Sequence, residues 1–448
     1  MDIVVAGSGL SLAPATDRLL RRMLCPLSGL SQSVGFVTRS ALEPRVAVAG
    51  GDMTGVHVLR GQSPPRPGAY HIGGSGVTYD EAVIRTLGET VERYAQFIAG
   101  ARPRHRVVVA SHEELVARGD RALVPEGLRY FSDAQLARPG FPFSPLRPDT
   151  VIGWVAADSL IDGAARWAPA QLALVGYVRG PGEPQVMSGV TTGSAAHTKL
   201  DQALRSALLE LIQIDSAIGH WFGGGAAVPI GSDRRTRPLD DLVARAVHRA
   251  GPAPRFYWLP NADLPGLTIA CAIEGSEVPR LAVGLGCDLR LCRAMYKAFL
   301  EGVAVAQLAK VILFRQAVAD AAGGRDGAPP TQFYDLDTNV AHYALRGRDA
   351  IRAKFGDEPA VPPSTLPPDC DAGAAGDVRH LVKAFADTGK ELTFFDLTTQ
   401  DIADLGFCVV RTWSPDLVSL PLPSAPPLMH PRFRAYGGVT NEAPHPYP

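Results

Sequence analysis

The sequence predicts a mixed α/β (α+β) fold, and three observations predict it. Short runs rich in β-branched or aromatic residues, Arg106–Val109, Leu267–Ala270 and Phe407–Arg411, read as strands. Between them, stretches at 79–98, 199–222, 238–250, 290–317 and 376–387 repeat apolar residues at three and four, the helical period. The chain has 448 residues, 46% of them hydrophobic, enough to bury one large core or two to three ordinary ones.

Composition narrows the function classes. With 44 Lys and Arg against 45 Asp and Glu, the chain lacks the basic excess of a phosphate-neutralising surface, so nucleic acid is not expected as a main partner. Six cysteines, at 25, 271, 287, 292, 370 and 408, form no CxxC pair, as expected of thiols kept reduced in a cytoplasm. No window approaches the ~18 apolar residues of a membrane span, and Met1–Met23 lacks the pattern of a signal peptide, so no membrane is expected either.

Taken in order, residues 1–64 read as a lead-in, closed by Pro64, Pro65 and Pro67. A glycine-rich turn, His71–Thr78, precedes the first helix, where glycines would let backbone N–H groups approach a phosphate; a plain loop would have the same composition. Ala321–Pro330 and Val361–Pro368 read as surface loops inside a body spanning 65–430, and a Pro-rich tail covers 431–448.

The informative pattern appears when three helices are superimposed. Each places an alanine seven residues before a glutamate: Ala82 and Glu89, Ala203 and Glu210, Ala294 and Glu301. That offset is two helical turns, so both residues share a face. Four residues before each glutamate stand Arg85, Ser206 and Lys297; three after it come Glu92, Gln213 and Ala304. A carboxylate in an apolar stretch such as that around Glu210 is costly to bury unless paired or metal-bound. A solvated face would look the same in any one helix, but three occurrences at one offset favour a shared cation site. Oxygen ligands favour Mg2+, and Mg2+ suggests a nucleotide phosphate.

Together these residues resemble the YcaO family of ATP-dependent peptide-backbone modifying enzymes. The resemblance runs from about residue 65 to the end. It is carried by Gly73–Gly76 followed by Glu89-Thr90-Val91-Glu92-Arg93-Tyr94, by Thr192–Ala196 followed by Glu210 and Asp215, and by Lys297 with Glu301. It implies a YcaO-like fold of mixed sheets packed with helices, with an ATP and Mg2+ site lined by the three acidic helices. Position by position it implies Glu89, Glu92, Glu210 and Glu301 as metal or nucleotide ligands, and Ser75, Ser206, Gln213 and Lys297 as further nucleotide contacts. Lys297 and Arg93 are implied as catalytic cations. The run Pro444-His445-Pro446-Tyr447-Pro448 looks like the PxPxP terminus of azoline-forming members, which implies a catalytic role for Pro448. Alternating prolines stiffen such a tail, so that its carboxylate could be delivered to a fixed place.

The implied activity is cyclodehydration of a ribosomally made precursor peptide. A Cys, Ser or Thr side chain attacks the preceding carbonyl, ATP phosphorylates the oxyanion, and loss of phosphate leaves a thiazoline or oxazoline. The chain would then be one subunit of a synthetase complex of the streptolysin type. The resemblance implies a leader-peptide-binding ThiF-like partner, an FMN-dependent dehydrogenase and assembly as a homodimer or hetero-oligomer. Ser75, Gln213, Ile214, Lys297 and Ala304 depart from the family's usual residues. Two other readings stand beside this one: a thioamide- or amidine-forming enzyme, and a non-catalytic scaffold that binds peptide and partner.

Overall fold

The computed structural model describes residues 12–25, 28–57, 71–101, 106–124, 126–321 and 332–447. Three antiparallel sheets organise them. The first joins β1 (Gly35–Phe36), β2 (Ala47–Asp52) and β3 (His71–Gly76). The largest contains β4 (Val107–Ala110), β5 (Ile152–Ser159), β6 (Ala165–Pro169), β7 (Ser194–His197), β12 (Thr393–Asp396) and β13 (Cys408–Trp413), with β13 lying between β12 and β7. In the third, β8 (Val228–Pro229), β9 (Ala253–Trp258), β10 (Leu267–Glu274) and β11 (Leu281–Asp288) run in sequence order.

The helices of ten residues or more among the described residues are α1 (Pro14–Met23), α2 (Tyr79–Ala101), α3 (Leu200–Phe222), α4 (Arg237–Ala246), α5 (Leu291–Ala321), α6 (Leu336–Arg346) and α7 (Gly373–Asp387). The predicted helices thus lie within a few residues of α2, α3, α4, α5 and α7, while α1 and α6 are additional. Val83, Leu87, Val91, Ala95 and Ala99, four apart on α2, enter the core shared with the largest sheet. Both faces of the third sheet are covered: Ile269, Cys271 and Ile273 of β10 join the core under α5, while Ala270 and Ala272 join the core of Trp221 and Phe222. This explains why β10 reads as an unbroken apolar run.

The seven-residue pattern belongs to a larger unit. Each acidic helix follows an outer strand of a different sheet after two residues: β3 to α2 through Val77 and Thr78, β7 to α3 through Thr198 and Lys199, β11 to α5 through Leu289 and Arg290. Gly74, Ala195 and Gly286 stand eight residues before Ala82, Ala203 and Ala294, and twelve before Thr86, Ala207 and Ala298. All six helix residues are buried, because the helix lies directly on its strand. A Cβ at Gly74 would stand 2.4 Å from Thr86 N, and one at Gly286 only 2.3 Å from Ala294 O. The units also close on one another: α2 touches β7, α3 touches β11, and α5 touches β3. Three sheets therefore meet in a ring, with an acidic helix at each junction.

Two expectations change here. His71–Gly76 is a strand rather than a turn, and its glycines serve close helix packing. Residues 47–52 pair with it in full register, so a boundary at 64 falls between two strands of one sheet. Among its described residues the Pro-rich tail is docked on the body. Trp221 Nε1 donates to Ala443 O at 2.7 Å, Tyr343 Oη to Pro444 O, and Asn339 Nδ2 to His445 O. Tyr447 is 0% exposed and packs edge-on against Trp221. Prolines donate no N–H, so distant side chains bind the segment's carbonyls instead. Of the predicted loops, 322–330 lies outside the described residues. The Val361–Pro368 stretch carries a short helical turn, Pro363–Thr365.

Candidate active site

The ring brings Glu89, Glu92, Glu210 and Glu301 into mutual electrostatic contact. Glu89 accepts from Gly73 N at 3.0 Å and pairs with Arg93 at 2.9 Å. Glu92 accepts from Gln96 Nε2 at 3.1 Å; desolvation pushes its carboxyl up to about 8, Glu89 adds to this, and Arg93 and Arg411 oppose it. Desolvation likewise lifts Glu301 to about 7, against the stabilising Leu285 backbone and with a further push from Glu89. Glu210 is raised well above the ordinary carboxylate range by desolvation and then by Glu92, with Glu301 adding and Arg411 opposing. Among the described residues none donates a hydrogen bond to Glu210.

Such a group of half-buried acids holding one another's protons is a site short of positive charge. No three His, Cys, Asp or Glu side chains among the described residues stand at metal-holding distance as placed. The fit to a divalent cation therefore rests on charge: binding would relieve the repulsion that raises Glu92, Glu210 and Glu301.

The predicted cations lie on the rim, and both are engaged. Arg93, with 40% of its side chain exposed, holds Glu89. Lys297, 35% exposed, places Nζ 3.0 Å from Asp288 Oδ2 and 3.0 Å from Cys287 O. Asp288 is in turn gripped by Arg205 at 2.6 Å; burial alone would raise Asp288, but Arg205 and Lys297 hold it below the usual range. Ser206 is exposed on α3 and Gln213 half-buried one turn past Glu210. Ser75 is a correction: it is 7% exposed and donates to Leu300 O at 3.0 Å, so its hydroxyl ties β3 to α5 rather than facing a nucleotide. Pro448 lies outside the described residues.

Sequence reading passed over Arg411. It is the charged residue of the predicted strand Phe407–Arg411, 1% exposed, and its Nε and Nη1 have no hydrogen-bond partner among the described residues. A lone charge in an apolar strand was the available signal. Asp215, part of the motif above, belongs to a different knot: Arg432 binds both its oxygens at 2.7–3.1 Å, and Tyr436 Oη, Asn261 Nδ2 and Val418 N complete the set.

Comparisons with known proteins bear on the family and the fold. The family described as YcaO cyclodehydratase, ATP- and Mg2+-binding, matches residues 73–418. A heterocyclase in complex with substrate and cofactor superimposes with a TM-score of 0.71 at 19% identity, covering 96% of this chain and 57% of that one. YcaO from Methanopyrus kandleri, bound with AMPPCP and Mg2+, gives 0.55 at 15% identity, covering 96% and 95%. The E. coli microcin synthetase McbBCD complex gives 0.57 at 14% identity, covering 94% and 98%. At these identities the likeness is one of fold, and the chain spans little more than half of the first heterocyclase. No curated protein matches the sequence.

Proposed function

The chain belongs to the YcaO family, and from that premise we propose that it is an ATP-dependent peptide cyclodehydratase. The observation that carries the reading is the ring itself: three strand–helix units from three sheets converge Glu89, Glu92, Glu210 and Glu301 into one acidic centre rimmed by Arg93 and Lys297.

In this reading the four glutamates hold Mg2+, which neutralises charge on the triphosphate of ATP. Arg93 and Lys297 lie beside that centre and would steady the phosphoryl group as it moves to the oxyanion formed when a peptide Cys, Ser or Thr attacks the preceding carbonyl. Phosphorylation makes that oxygen a good leaving group, and elimination of phosphate yields thiazoline or oxazoline. No enzyme nucleophile is needed, so positioning and charge are the protein's whole contribution. Ser206 and Gln213, on the same face of α3, are the proposed polar contacts to the nucleotide.

Likeness in fold to a chain of a multi-subunit synthetase supports assembly with partner subunits, proposed here as a leader-peptide-binding protein and an FMN-dependent dehydrogenase. Six free cysteines support a reducing cytoplasm. No described helix is long and apolar enough to cross a membrane. One observation favours a second reading: both rim cations are already paired, Lys297 to Asp288 and Arg93 to Glu89, as in a scaffold subunit that uses no ATP. Peptide-dependent phosphate release by the chain with its partner and a Cys/Ser-rich precursor, coupled to loss of one water per residue cyclised, decides between them. Absence of both would defeat the enzyme reading.

A further inference from the structure

Lys297 is held from behind by a chain of buried charges that joins α5, β11, α3 and α7. Its Nζ lies 3.0 Å from Asp288 Oδ2 and 3.0 Å from Cys287 O, at the end of β11. Asp288, 1% exposed, is itself fixed by Arg205 of α3, whose Nη2 donates to Oδ1 at 2.6 Å and whose Nη1 donates to Oδ2 at 3.2 Å. The N–H of Arg290 adds a further donor to Asp288 Oδ1 at 3.3 Å. Arg205, 6% exposed, donates through Nε to Asp377 Oδ2 of α7 at 2.6 Å, and the other oxygen of Asp377 accepts from Ala372 N at 3.1 Å. Two cations thus answer two carboxylates, and the chain is balanced in charge.

This chain ends beside the acidic centre. Lys297 and Glu301 stand one turn apart on α5 and so share a face. Cys287 lies opposite Thr268 in the ladder, and the Thr268 carbonyl is turned away from β11, accepting from Leu259 N at 2.8 Å. That makes the two residues a non-hydrogen-bonded pair, so Cys287 O points off the free edge of the sheet, where Lys297 meets it. Leu285, two residues earlier, faces the same edge, and its backbone stabilises Glu301. Lys297 and Glu301 are therefore seated side by side along β11. An ammonium carries three N–H donors and accepts nothing. Asp288 and Cys287 O take two of them, and with 35% of the side chain exposed one N–H is left for an outside acceptor. A mobile lysine would have to give up the rotamers of its long stem on binding; this one has done so already.

We propose that Asp288 is the positioning residue for Lys297, holding its ammonium on the edge of β11 with one N–H free for a phosphate oxygen, while Arg205 and Asp377 hold Asp288. The inference rests on the ATP-dependent reading of the site and deepens it. The ion pair prepares the cation for its ligand instead of withdrawing it.

The test measures peptide-dependent phosphate release by the full chain with its partner and a Cys/Ser-rich precursor, for wild type, D288N, K297M and D288N/K297M, with melting temperatures alongside. D288N should lower kcat by roughly 10–100-fold, as a misplaced group does, and move the KM for ATP by less than about threefold, because Lys297 keeps its charge. K297M should lose at least as much. The double variant should lose no more than about threefold beyond K297M, since Asp288 acts through Lys297. A D288N loss as large in the K297M background as in wild type overturns the proposal, because Asp288 would then serve the fold alone. A D288N kcat within about twofold of wild type overturns it too. K297M with wild-type turnover also overturns it and leaves the enzyme reading standing. Should D288N fail to fold, melting decides: it leaves Arg205 and Lys297 facing Asp377 alone, and removing Lys297 restores the balance. D288N/K297M should then melt above D288N, and an equal or lower melting temperature overturns the pairing. If wild type releases no phosphate, the enzyme reading fails, and the same melting comparison still tests whether Asp288 holds Lys297.

Discussion

Glu210 and Asp215 lie five residues apart on α3, and their surroundings could hardly differ more. Asp215, 0% exposed, has both oxygens bound by Arg432, with Tyr436, Asn261 and the Val418 N–H filling the remaining positions. Glu210 receives no hydrogen bond from any described residue and faces two further acids. A fully bonded buried carboxylate joins elements, here α3 to the segment after Asn261 and to the helical turn Pro431–Tyr436. An unmet one stores repulsion that a ligand can relieve. The same helix thus carries a fully bonded acid and an unmet one, and bonding rather than residue type tells them apart.

That contrast can be broken by exchanging amides for acids. Asp215→Asn should cost about 3–5 kcal/mol of stability in urea unfolding, because it breaks a fully buried ion pair and leaves Arg432 only the more exposed Asp263. Glu210→Gln should leave melting unchanged or slightly raised, yet reduce peptide-dependent phosphate release by at least roughly 10²-fold. If the two variants exchanged these outcomes, the assignment of roles would be wrong.

Protons should report the same contrast. Glu92, at about 8, and Glu301, at about 7, keep protons in the folded state that the unfolded chain releases near ordinary carboxylate values, so their contribution makes stability fall as pH rises from about 4.5 to 8. Addition of Mg2+ with nucleotide at pH 7 should therefore expel protons into weakly buffered solution, and at pH 9 almost none. Equal release at the two pH values would contradict the shared site. Buried His220, His430 and His445, each pushed down to about 4 by desolvation, have the opposite slope: their contribution is present above about 6.5 and lost as pH falls toward 4. Glu92→Gln should flatten the alkaline slope alone.

The smallest effect concerns an unmet polar atom with no ligand to await. Among the described residues the Tyr447 hydroxyl is buried without a partner, beside Trp221. Tyr447→Phe should raise stability by about 1 kcal/mol, where an unmet acid at the ring gains nothing until a cation arrives. A loss on the same scale, measured by chemical unfolding, would mean the hydroxyl is bonded.

Helix positions and the acidic triplet were legible because both depend on local periodicity. The reason for the alanines was not, since it lies in strands eight residues earlier whose side chains are only Gly74, Ala195 and Gly286. Glycines carry no period-two signal, so His71–Gly76 read as a turn. Ser75 looked like a nucleotide contact because sequence does not reveal that Leu300 O lies above it. Arg411 was visible as a charge in a strand, but its full burial was not, because that depends on the elements packed over β13. The prolines before Tyr447 read as a stiff tail, whereas its docking was not legible, because the donors that bind it, Trp221 of α3 and Asn339 and Tyr343 of α6, are distant in sequence.

The ring also needs parts of the chain that lie far apart in sequence. Gly73 and Glu301 belong to units more than two hundred residues apart in sequence, and contacts of that separation form late. A chain with only one or two sheets assembled has an acidic helix or a pair of them, and no enclosed centre. In the proposed reading, a site for ATP would therefore exist only in molecules that have finished folding. Fragments and half-folded intermediates would spend none of it.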